Sequence, residues 1–174
     1  MTQKEEAKPA TSNTRGGRYQ VEVRLRSDFA DAEGQEARAR LNAAGVNSAR
    51  EVRVSRLYDI RGPLNQGHVQ QAARELLCDP VTQDFRIVTN STPSPNGMNH
   101  WRAEVWLKDS VTDAPGESVR AAIVELGLPT PDAVRVGWAY HIEGKCGRNQ
   151  LEKAVARTLA NPVVHRFAVT EEHR

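Results

Sequence analysis

The chain has 174 residues, with 24 Lys and Arg against 22 Asp and Glu and a formal net charge of +2. A balance this close to neutral gives little steering toward nucleic acid or anionic lipid, and 39% hydrophobic with 5% aromatic residues leave material for a modest core. No apolar run nears the roughly 18 residues of a membrane span, and two cysteines, Cys78 and Cys146, are too few for a disulfide framework.

The opening stretch, MTQKEEAKPATSNTRGGR, is polar and lacks the apolar h-region of a secretory signal. Residues 1–18 are expected to form a disordered leader on a cytoplasmic protein. From there Tyr19, Val21, Val23 and Leu25 alternate with polar neighbours, the period of a half-buried strand. Asp31 then opens a helix, its carboxylate placed to accept from the free N–H groups of the first turn. Ala37, Leu41 and Ala44 form the apolar stripe of that helix, and Gly45 stands where a left-handed terminating residue belongs.

A second strand, EVRVSRLYDI, sets Val52, Val54, Tyr58 and Ile60 on one face and Arg53 on the other. After Gly62 and Pro63 a second helix is expected to bury Val69, Ala73, Leu76 and Leu77. It stops at Pro80, whose ring nitrogen has no hydrogen to continue the ladder. FRIV is a short closing strand. TNSTPSPNGMN, residues 89–99, has linker composition, and with His100 it makes a linker over 89–100.

The same series then begins again. Setting Tyr19 against Trp101 fixes an offset of 82 that runs without a gap to Ile87 against Val169, and 20 of the 69 positions agree. Unrelated sequences of this composition would share about four. The second copy has a strand at Trp101, Ala103, Val105 and Leu107 and a helix opened by Asp113 with Val119, Ile123 and Leu126. Gly127 follows, then a strand with Val134, Val136, Trp138, Tyr140 and Ile142, and a helix with Leu151, Val155 and Leu159 stopped by Pro162. Each copy reads β-α-β-α-β, one small sheet with two helices for one face. About 70 residues make a thin core, so the α+β fold expected is two repeats, 19–88 and 101–170, packed as a pseudo-twofold internal dimer.

Chemistry-bearing motifs are missing. GRYQVEV and EGKCGRN lack the spacing of a phosphate loop or dinucleotide fingerprint. His68, His100, His141, His165 and His173 lack metal-ligand spacing with the cysteines and read as solvated positions. No serine sits in a nucleophile elbow, so no catalytic residue, cofactor or metal is assigned. The candidates for partner binding are Arg53 and Arg135, which recur between apolar strand neighbours, and the aromatic group Tyr58, Trp138 and Tyr140. A guanidinium there suits a partner carboxylate or a solvated sheet face. The aromatics suit an interface anchor or core filling.

Taken in order, YQVEVRL, the D-x-x-G opening of the first helix, V-R-V in the middle strand and L-x-[ND]-P-V-x-x-x-[FY] at the end resemble PurS, the small subunit of phosphoribosylformylglycinamidine synthase. The resemblance covers residues 19–88 and 101–170, in two tandem copies. Asp79 stands where the family motif has Asn, whereas Asn161 keeps it. The resemblance implies a non-catalytic accessory subunit of purine biosynthesis that bridges a large synthetase subunit and a glutaminase subunit. ATP, glutamine and the formylglycinamide ribonucleotide substrate would belong to those partners, and a homodimer of the tandem chain is among the assemblies it allows. The rival reading is a metabolite-sensing α+β regulatory module holding a small ligand between its halves. A nucleic-acid-binding protein is disfavoured by the neutral balance and the lack of an aromatic-basic strand motif.

Overall fold

The computed structural model describes residues 16–88 and 100–171. Residues 89–99 of the linker and residues 1–15 of the leader therefore lie outside the described residues; Gly17 and Arg18, counted above with the leader, already belong to the first strand, and His100, counted above with the linker, opens the first strand of the second repeat. The first repeat consists of β1 (Gly17–Leu25), α1 (Ala32–Ala43), β2 (Ala49–Gly62), α2 (Gln66–Ala72) continued by a π-helical turn (Ala73–Leu77), and β3 (Gln83–Val88). The second repeats that order as β4 (His100–Leu107), α3 (Ala114–Glu125), β5 (Ala133–Gly144), α4 (Arg148–Thr158) and β6 (His165–Glu171). All six strands join one antiparallel sheet in the order β3-β1-β2-β5-β4-β6.

The recurrent D-x-x-G is architecture. Asp31 caps α1 by accepting from Gly34 N at 2.8 Å, and its second oxygen accepts from Val54 N at 2.7 Å. Asp113 does the same with Gly116 N and Val136 N, both at 2.8 Å. One carboxylate thus ties each first helix to its own middle strand. The glycine is what lets the helix come that close: a Cβ on Gly34 would stand 2.1 Å from Val52 O, and one on Gly116 2.3 Å from Val134 O.

The helices cover one face of the sheet, but they do not each cover their own repeat. Ala37 and Leu41 of α1 are buried in one cluster with Trp101, Ala103 and Val105 of β4, Leu151 and Val155 of α4, and Val169 of β6. Ile123 of α3 is buried in the other, with Val21 and Val23 of β1, Val69 of α2 and Leu77. The first helix of each repeat therefore completes the core of the other. Burial of apolar area is the main favourable contribution to folding, and here neither repeat carries out that burial alone.

Two details of the sequence reading need correction. Leu76, expected in the core, is 38% exposed, whereas Val69, Ala73 and Leu77 are buried. The π-helical turn adds a residue to that part of the helix and so rotates the following side chains out of α-helical phase. His141, expected to be a solvated strand position, is part of a buried ionic network.

Candidate partner-binding surface

The face without helices is curled and polar. Neighbouring strands lie about 4.8 Å apart, so a flat six-stranded sheet would hold its edges well separated. Here Val88 of edge strand β3 and Arg166 and Ala168 of edge strand β6 line the same trough of about 420 Å³, with Trp106, Glu104, Asp59 and Arg18. At one side of this face Glu22 is 1% exposed and is held by Arg86 at 2.8 Å, Arg102 at 3.0 Å and His141 at 2.7 Å. Burial by itself would raise the Glu22 carboxyl, but the His141 hydrogen bond and the charges of Arg102, His141 and Arg86 outweigh it and hold it far below the usual carboxylate range. Asp59 is held separately, by Arg18 and Arg61, both at 2.8 Å. Such networks fix geometry; their acidic members are already occupied by fixed cations.

The predicted contact residues divide into two groups. The arginines secure loops: Arg53 Nη2 donates to Leu25 O at 3.2 Å and Arg26 O at 3.1 Å, and Arg135 Nη2 to Leu107 O at 2.8 Å and Lys108 O at 3.1 Å. The middle arginine of V-R-V therefore closes the turn that leads from each repeat's first strand to its first helix. Tyr58, Trp138 and Tyr140 lie on the other face, along the two central strands, with Tyr58 packed against one core cluster and Tyr140 against the other. All three are half-buried, and burial raises both tyrosine hydroxyls above their ordinary range. Trp138 also meets the His165 ring edge-on, 6.3 Å between centroids.

The valine of the closing motif, which the sequence marks only as recurrent, is displayed in the two turns before the closing strands. Val81 is 68% exposed and Val163 is 78% exposed, and they are repeat equivalents. Asp79 Oδ1 accepts from Val81 N at 2.8 Å, and Asn161 Oδ1 from Val163 N at 3.0 Å. Arg26 donates to Pro80 O, and its equivalent Lys108 to Pro162 O. Each turn is thus braced at both ends and displays a largely exposed valine. The available signal was recurrence: Cys78, Asp79 and Thr82 have become Ala160, Asn161 and Val164, yet the valine is unchanged.

Among the described residues no group of three or more His, Cys, Asp and Glu is placed to hold a metal ion. Both cysteines are free; Cys146 is core material, its sulfur 3.3 Å from Ser48 Oγ, and burial raises the Cys78 thiol away from the reactive thiolate. No helix among the described residues is long and apolar enough to cross a membrane.

Comparison with curated proteins found no match. The family model described as PurS: Phosphoribosylformylglycinamidine (FGAM) synthase matches the chain twice, over residues 18–91 and 100–173. Those two segments are the two halves of the six-stranded sheet, so the chain belongs to the PurS family and carries two tandem copies of its fold.

Proposed function

We propose that this chain is a bridging subunit of FGAM synthase, holding a large synthetase subunit against a glutaminase subunit in the cytoplasm. PurS is a non-catalytic subunit of that ligase of purine biosynthesis; ATP- and glutamine-dependent chemistry is assigned to the partners. The observation that carries the reading is the pair of braced turns displaying Val81 and Val163. Exposed valines retained at equivalent places suit shallow apolar pockets on partner subunits, and two of them on one rigid sheet suit a bridge. Tyr58, Trp138 and Tyr140 supply a second, aromatic contact strip of the kind enriched in interface anchors. Arg53 and Arg135 support these contacts by holding the adjacent loops.

The test is reconstitution with the synthetase and glutaminase subunits of the same genome. The full chain is expected to co-purify with both and to be required for glutamine-dependent amidine formation. A complex of the two partners that forms and turns over equally well without it would overturn the bridging role. The trough between the halves keeps one rival specific: a metabolite bound beside Trp106 and Arg166 would raise the unfolding temperature of the isolated chain.

A further inference from the structure

β2 and β5 meet at the pseudo-twofold axis. Val52 pairs with Ile142 and Ile60 with Val134, whereas the repeat equivalents are Val52 with Val134 and Ile60 with Ile142. The one pair in the register whose members are each other's equivalents, 82 positions apart, is Arg56 and Trp138. These two residues therefore sit on the axis, and there they are unlike. The Arg56 guanidinium carbon lies 5.0 Å from the centroid of the Trp138 ring, a cation–π contact. Two first repeats paired in this way would set arginine against arginine, and two second repeats would set tryptophan against tryptophan.

The curled face breaks the symmetry again. Glu22 of the first repeat reaches across to His141 and Arg102 of the second. The first-repeat equivalents of those partners are Asp59 and Gln20. In a pair of first repeats, Glu22 would keep Arg86 but meet, in place of a histidine, an aspartate whose cations Arg18 and Arg61 are already engaged, and an amide in place of a guanidinium. A buried carboxylate facing a second carboxylate is strongly unfavourable. A pair of second repeats has no such conflict, because Glu104 would then face His141 and Arg102. The incompatibility is one-sided.

We propose that the duplication has produced an obligate unlike pair: the axial surface of the first repeat accepts only a PurS-type surface bearing an aromatic residue on the axis and cations opposite Glu22, and it refuses a second copy of itself. Covalent linkage alone would raise the local concentration of the right half; the axial residues add discrimination between right and wrong halves.

The test starts from the folded full chain with a protease site placed within residues 89–99. The cleaved protein is mixed with the same protein uniformly labelled with ¹⁵N, left to exchange, and examined by native mass spectrometry. The expected result is exchange of unlike halves with no pair of two N-terminal halves; such pairs at about a quarter of all pairs, the random share, would overturn the proposal. A second measurement uses the uncut chain. Trp138→Arg should lower the unfolding temperature by about 3 °C or more, and the double variant R56W/W138R should recover most of that loss because it restores an unlike axial pair. Losses that simply add in the double variant would also overturn it.

Discussion

Glu22 and His141 belong to different repeats, yet they meet at 2.7 Å beneath a sheet face on which Glu22 is 1% exposed. Arg86 and Arg102 close the same carboxylate from two further strands. The folded state therefore holds Glu22 ionised at a pH where the unfolded chain, near its ordinary 4.5, begins to take up a proton. Below that range the unfolded state binds more protons, so stability contributed by Glu22 is present in full above about pH 5 and is lost as pH falls toward the depressed folded value. Thermal unfolding from pH 7 to pH 3 should show this decline, and Glu22→Gln should flatten it while costing about 3 kcal/mol at neutral pH. An unchanged acid profile in the variant would remove Glu22 as the source.

Gly34 offers a case in which two effects oppose. In an open helix Gly→Ala stabilises by about 1 kcal/mol. Here the added methyl would stand 2.1 Å from Val52 O, so the helix must shift and stretch the Asp31 bond to Val54 N. Overpacking of this kind costs about 1–3 kcal/mol, and the contact is with backbone, which yields least. Chemical denaturation should show both Gly34→Ala and Gly116→Ala destabilising the chain, despite the better helix former.

The crossed cores predict damage at a distance. Leu41 is fully buried against residues of the second repeat, and Leu41→Ala should cost about 3 kcal/mol. Hydrogen exchange should accelerate first in β4 and β6, which belong to the other repeat. Ile123→Ala should do the converse, loosening β1 and β3. Loss confined to the mutated repeat would mean that the two cores are independent.

Val81 and Val163 are expected to behave oppositely to these core residues. Val81→Asp and Val163→Asp change exposed side chains and should leave the unfolding free energy within about 0.5 kcal/mol of the parent. Capture of the synthetase and glutaminase subunits should fall at least tenfold for one or both variants. Retained capture with both valines replaced would move the contact surface to the aromatic strip at Trp138.

Much of this was legible in the chain itself. The gapless offset from Tyr19 to Trp101 determined that the fold is built twice. Strand periodicity at Val21, Val23 and Leu25, the caps at Asp31 and Asp113, and the left-handed Gly45 and Gly127 determined the order of elements. Their φ values of +96° and +81° agree. These are local effects, governed by neighbours within a few residues. Tertiary structure alone decided which repeat each helix covers, because apolar periodicity says that Leu41 is buried without saying against what. It decided that Leu76 turns outward, since a π-helical turn alters phase without a sequence mark. It placed His141 beside Glu22, because a charged strand residue looks solvated until the sheet curls. And it set Arg56 over Trp138, since a pairing register between strands in different repeats depends on the fit of two whole surfaces.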